Sequence, residues 1–246
     1  IPIQIPDYAL KYFNWKIRES LLTQNKGKYY FIFTFSQEFP AQSSQQHFRI
    51  LGVDLGVNKI AVTSDGRFYG KNIKQLRVRH DRFISILQSK CTKASKRKLK
   101  KLSGSWRKFM QWSNHNISKD IVDGLNNGDV IVMEDLKGIR TTARYNKWVH
   151  KWSFYELQKF IEYKALAKGI RVVYVNPRYT SKSCSICHNT ETIRHSGFVE
   201  CLTCGHKSDS DFGASKNIAQ LYQRNMCRAI VNTPVDLTSD DSVLNV

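Results

Sequence analysis

The sequence predicts an α/β fold: a mixed sheet flanked by helices, with a small metal-binding ribbon inserted late in the chain. Three observations carry this expectation. Short apolar runs at 50–53, 130–133 and 170–175 have strand length and end at acids or at Asn-Pro. The longer stretches between them carry apolar residues at helical spacing. Two cysteine knuckles, Cys184-x2-Cys187 and Cys201-x2-Cys204, separate the last of these strands from a final helix.

Taken in order, residues 1–47 hold β-favouring aromatic runs. The clearest strand is 29–35, and Asn25-Lys26-Gly27-Lys28 before it reads as a hairpin turn. The polar stretch 41–46 reads as a linker. At 50–66, one apolar run stops at Asp54 and a second follows at 60–62, with Gly52, Gly56 and Asn58 between them. That punctuation predicts two adjacent strands joined by a tight turn. Asp65-Gly66 is a further turn, and Arg67-Phe68-Tyr69 a third strand.

Residues 73–102 read as a basic helix with Ile73, Leu76, Phe83, Ile84 and Leu87 toward the core, broken at Ser103-Gly104-Ser105. A second helix follows over 106–125, with Trp106, Phe109, Trp112, Ile117 and Ile121 inward. Asn126 to Asp129 ends it, and the strand to Met133 begins. An amphipathic helix at 152–168 (Phe154, Leu157, Phe160, Ile161, Leu166) stops at Gly169. The strand 170–175 stops at Asn176-Pro177. A last helix is expected at 211–224, with Ile218 and Leu221 inward, and a loose tail beyond.

The chain has 246 residues and a formal net charge of +19, which points to a polyanionic partner. No apolar run approaches the roughly 20 residues needed to span a bilayer, so nucleic acid is favoured over membrane. Of six cysteines, four sit in the knuckles and Cys91 and Cys227 stand alone. That usage suits zinc in a reducing compartment better than a disulfide framework. Four thiolates in two knuckles thirteen residues apart fit a closed, structural Cys₄ zinc site. His188, His195 and His206 flank it, but a complete Cys₄ set needs none of them.

Three acids end or begin separate elements: Asp54, Glu134 and Asp211. Asp before Gly can be a plain turn signal. A buried carboxylate, however, needs a compensating partner, and a cation is one. Acids on three elements form the pattern of an oxygen-ligand site for a hard ion such as Mg²⁺. Asp135 and Asp209 either support the three acids from behind or are plain surface or capping acids, and the second reading is favoured. The run Lys96, Arg97, Lys98, Lys100 and Lys101 is either a solvated face or a phosphate-binding one; its single sign favours phosphate. The segment 137–150, with Arg140 and Arg144 among aromatics, is either a plain connection or a strand-gripping loop.

In this order, D-L-G at Asp54, M-E-D-L at Glu134, the two knuckles and D-S-D-F-G-A-S-K-N-I after them resemble the TnpB (OrfB) family of insertion-sequence proteins, relatives of the compact type V CRISPR nucleases. The resemblance covers about residues 48 to 224. It implies an RNase H-like, RuvC-type nuclease domain in which the fourth strand pairs with the first. It also implies a catalytic set of Asp54, Glu134 and Asp211 binding Mg²⁺ or Mn²⁺, a DNA substrate, a guide RNA for the full-length protein and a prokaryotic cytoplasmic setting. The expected organisation is 1–47 as part of a β-barrel, 48–177 and 209–226 as the nuclease domain, 178–208 as the zinc ribbon and 227–246 as tail. On the same resemblance the chain begins partway through that barrel. Ser210, Gly213-Ala214-Ser215 and His188 depart from the family's usual Arg, Asn-Ala-Ala and Gly. A non-cleaving nucleic-acid-binding module suits the charge equally well, but has no need of the three acids.

Overall fold

The computed structural model describes residues 3–25, 27–36, 48–136, 154–177 and 180–232. The linker 41–46, the loop bearing Arg140 and Arg144, and the tail beyond 232 lie outside the described residues. The chain divides into two compact units, 1–42 and 43–246.

In the first unit, a short helix α1 (Asp7–Leu10) and a 3₁₀ turn (Lys11–Asn14) lead into an antiparallel hairpin, β1 (Lys16–Asn25) and β2 (Lys28–Ser36). Gly27 supplies the positive φ of 79° that the turn requires. Phe13 packs edge to face on both Phe33 and Phe35, while Tyr29 to Ile32 are exposed.

The second unit holds a five-stranded mixed sheet. Its strands are β3 (Ile50–Asp54), β4 (Ala61–Thr63), β5 (Phe68–Tyr69), β6 (Val130–Glu134) and β7 (Arg171–Val175), in the order β5-β4-β3-β6-β7. The first three form an antiparallel meander, and β3 pairs in parallel with β6 as the RNase H-like order demands. Helices α2 (Ile73–Ser89), α3 (Lys93–Leu102) and α4 (Ser105–Asp123) fill the long β5–β6 connection, and α5 (Phe154–Ala167) precedes β7. The last helix, α6 (Ser210–Asn232), extends well past the expected end at 224.

Strand alternation sorts the two faces of the sheet. Leu51, Val53, Ile131 and Met133 pack with Ile117, Ile121, Leu157 and Ile161 from α4 and α5. Val130 and Val132 pack with Ile218 and Tyr222 of α6 on the opposite face. Residues 50, 52, 54 and 130, 132, 134 therefore share the α6 face, which decides where the acids point.

Three helical expectations need correction. The basic stretch is two helices, because Thr92 caps a new one, its side chain accepting from Ser95 N, after Cys91 turns the chain at φ 50°. Leu76 and Phe83 are exposed, as only Ile73 of α2 is buried. Trp112 and Leu166 also face outward. Helical spacing marks a stripe, but no other described element arrives to cover these positions.

The cysteine knuckles lie in a three-stranded antiparallel ribbon of β8 (Thr192–His195), β9 (Phe198–Cys201) and β10 (Lys207–Asp209). β10 runs directly into α6. His188 takes a left-handed φ of 63°, the conformation glycine adopts most readily, at the position where the family pattern has Gly.

Candidate active site

Asp54 and Glu134 each stand one residue beyond the paired Val53 and Met133, at the same end of adjacent parallel strands. Strand parity turns both toward the α6 face. Asp211 lies in the first turn of that helix. What brings the helix this close is Gly52: a Cβ there would stand 2.0 Å from the Ser215 carbonyl oxygen and 2.8 Å from Ala219 N. Ser215 and Ala219, four residues apart on α6, present small side chains to the strand.

The site is strongly acidic in its own field. Burial raises the Asp54 pKa well above the ordinary carboxylate value; the charges of Glu134 and Asp211 raise it further, and Lys59 and Arg194 oppose them. Glu134 is also raised by burial, against a hydrogen bond from the Thr180 hydroxyl. Its backbone carbonyl accepts from Gln158 Nε2 at 2.8 Å. Asp211 pairs with Lys59 Nζ at 2.9 Å, and both oxygens of Asp209 take the same ammonium at 2.6 and 2.7 Å. Asp209 also caps α6, accepting from the Asp211 and Phe212 backbone amides at 3.1 Å. A ribbon residue thus anchors the helix that carries Asp211.

Among the described residues, the cysteines are the only group of three or more His, Cys, Asp or Glu side chains whose ligand atoms lie within 4.8 Å of one another. The oxygens of Asp54, Glu134 and Asp211 spread wider, as expected for like charges with Asp211 drawn to Lys59. Their all-oxygen donor chemistry suits a hard divalent cation.

At the ribbon, Cys184, Cys187, Cys201 and Cys204 converge, with Sγ–Sγ separations of 3.7 Å (184–204) and 3.5 Å (187–201). A tetrahedron with 2.3 Å metal–sulfur bonds has edges of about 3.8 Å, so four thiolates here fit a zinc-sized ion. The four thiols share their protons: backbone N–H groups of Cys204 and Thr203 lower the Cys201 thiol, while, against a backbone hydrogen bond from Asn189, burial and the neighbouring thiols raise that of Cys187. No described histidine joins the cluster. Lys96, Arg97, Lys98, Lys100 and Lys101 are all exposed on α3 and make no ion pair with a described residue.

Lys59, Gln158, Thr180 and Arg194 escaped the sequence reading. Their partners lie far along the chain, and no local spacing marks them. Arg194 on β8 bonds the Ser181 carbonyl and adds ribbon charge to the field at Asp54.

The Cas12f1-like TNB domain family matches residues 154–218. The CRISPR-associated endodeoxyribonuclease Cas12f2 of Micrarchaeota archaeon (strain CG1_02_47_40) is 31% identical over 243 residues, covering 88% of this chain and 43% of that protein. TnpB-like protein MJ0751 of Methanocaldococcus jannaschii is 34% identical over 131 residues, covering 51% of this chain and 47% of that protein. A cryo-EM structure of a Cas12f1–sgRNA–target DNA complex has the same fold, with a TM-score of 0.51 at 18% identity, over 80% of this chain and 55% of that one. The chain thus spans less than half the length of these two curated relatives.

Proposed function

We propose that this chain, a TnpB-family protein related to the compact type V CRISPR effectors, is the nuclease-bearing part of an RNA-guided DNA endonuclease. One observation carries the reading: Asp54 and Glu134 end neighbouring parallel strands on the sheet face beneath α6, whose first turn holds Asp211. In this reading Asp54 (the most buried of the three), Glu134 and Asp211 would together hold divalent cations, Mg²⁺ or Mn²⁺, with Asp54 the ligand that both would use. Bound there, the ions supply charge stabilisation to both the attacking and the leaving oxygen of a phosphodiester displacement. The chain's own part is orientation. Lys59 holds Asp209 and Asp211 at the start of α6, Gln158 and Thr180 hold Glu134, and Arg194 brings a cation for the scissile phosphate.

The basic face of α3, with Lys96, Arg97, Lys98, Lys100 and Lys101, is proposed to lie along nucleic acid backbone, as are Arg140 and Arg144. The DNA substrate and guide RNA are partners of the full-length protein, and sequence recognition falls to base pairing with the guide. Among the described residues no helix is long and apolar enough to cross a membrane.

The test is metal-linked stability and cleavage together. Saturating Mg²⁺ at about 100 times its Kd is expected to stabilise the fold by roughly 2.7 kcal/mol in thermal melts. Full-length protein with its RNA is expected to cut DNA only when Mg²⁺ or Mn²⁺ is present. Cutting in excess chelator, or no stabilisation by either ion, would sink the nuclease reading.

The ribbon metal is proposed to be zinc. Elemental analysis of protein purified without added metal should find about one zinc per chain. Strong chelation should unfold the ribbon first, because so small a sheet buries little core and depends on its metal. A zinc-free, fully folded ribbon would refute this assignment. Cys91 is exposed and outside the cluster, so Cys91→Ser should leave zinc content unchanged.

A further inference from the structure

The loop between β7 and the ribbon reaches back to the acid on β6. The Thr180 hydroxyl donates to Glu134 Oε1, and Thr180 is 96% buried. A hydroxyl has one hydrogen, so donation to the carboxylate and to the Pro177 carbonyl, 2.9 Å away, are alternatives, and the carboxylate is the stronger acceptor. Thr180 is itself clamped. Asn217 of α6 donates both of its amide hydrogens, to the Thr180 carbonyl at 2.8 Å and the Ser183 carbonyl at 2.7 Å. Two carbonyl acceptors can only be faced by the amino side of the amide, so this orientation is chemically determined. One turn on, Gln220 Nε2 donates to the Ser185 carbonyl at 3.2 Å. The same helix carries Asp211 at its start.

We infer that Thr180, clamped from α6 by Asn217, is a positioning residue for Glu134. Its hydroxyl engages one carboxylate oxygen and leaves the other to the shared site. Asn217 makes that hold depend on the helix bearing Asp211, so two of the three acids are set by one rigid element. The clamped segment, 180–185, includes Cys184, so the ribbon's fold also bears on Glu134. The inference rests on the nuclease reading of the three acids.

The experiment is Mn²⁺ binding to the full-length protein, measured by calorimetry, for Thr180→Val, Thr180→Ser and Asp54→Ala. Valine keeps the shape and removes the hydroxyl; serine keeps the hydroxyl and removes the methyl. Thr180→Val is expected to weaken Mn²⁺ binding about 10-fold, the lower end for loss of a group that orients a metal ligand. Thr180→Ser should stay within about 2-fold of wild type, well below that range. Wild-type affinity in Thr180→Val, with binding lost in Asp54→Ala, would overturn the inference while leaving the nuclease reading intact. A weakened Thr180→Ser beside an unaffected Thr180→Val would assign the effect to packing and also overturn it. Unchanged binding in Asp54→Ala would remove the nuclease reading and the inference with it.

Discussion

Asp54→Asn is expected to abolish DNA cleavage, by about 10³-fold or more, while making the metal-free protein more resistant to heat. The loss of rate is on the scale of removing one preorganised electrostatic group from a reaction centre, and Asp54 is the acid proposed to serve both ions. The gain in stability follows from its environment. Burial and the charges of Glu134 and Asp211 raise its pKa above the unfolded value, outweighing Lys59 and Arg194. At pH below the unfolded pKa the group is protonated in both states, and its titration contributes nothing. As pH rises from the unfolded to the folded pKa, stability falls, and the whole penalty is present above the folded pKa. Asparagine cannot ionise and so escapes it. Melts in chelator at neutral pH, a cleavage assay and a mobility-shift assay check the three parts, with nucleic-acid binding expected to survive. An Asp54→Asn protein that melts below wild type in chelator would contradict this account of the site's electrostatics.

Gly52→Ala is expected to be the most damaging single methyl in the described chain. The added carbon would stand 2.0 Å from the Ser215 carbonyl oxygen and 2.8 Å from Ala219 N, both backbone atoms of α6 that no rotamer change can move. Overpacking ordinarily costs 1–3 kcal/mol; against backbone we expect about 3 kcal/mol or more. Relief requires α6 to shift away from β3, carrying Asp211 with it. A displacement of about 1 Å at a reacting centre can cost 10²-fold in rate. The contrast is Gly213→Ala on the same helix. There the nearest obstacle is the Ser208 hydroxyl at 3.2 Å, and alanine improves helix propensity by up to about 1 kcal/mol. Denaturant melts of the two variants should therefore move in opposite directions. If Gly52→Ala melted like wild type, the close approach of helix and strand would not govern the site.

Local pattern was enough to place the strands of the main sheet, most of the helices and the candidate site residues. Apolar runs ending in acids, four cysteines in two knuckles and a one-signed basic run are all visible within short windows, because each element's period and each ligand spacing is a local property. The same windows misjudged Leu76, Phe83, Trp112 and Leu166, which are exposed. Periodicity states that a helix has an apolar stripe, and only neighbouring elements determine whether it is covered. They also placed the helix break at 103–105 and missed the one at Thr92, where a capping hydroxyl after a left-handed Cys91 starts a new helix.

The arrangement around the acids was decided in three dimensions. Parallel pairing of β3 with β6 aligned Asp54 and Glu134, and strand parity turned both to the α6 face. A missing side chain at Gly52 then let that helix come close. Lys59 meets Asp211 across 152 residues of sequence, and Thr180 meets Glu134 across 46. Such partners are chosen by the packing of whole elements, and hydrogen-bond distances appear only once those elements have docked.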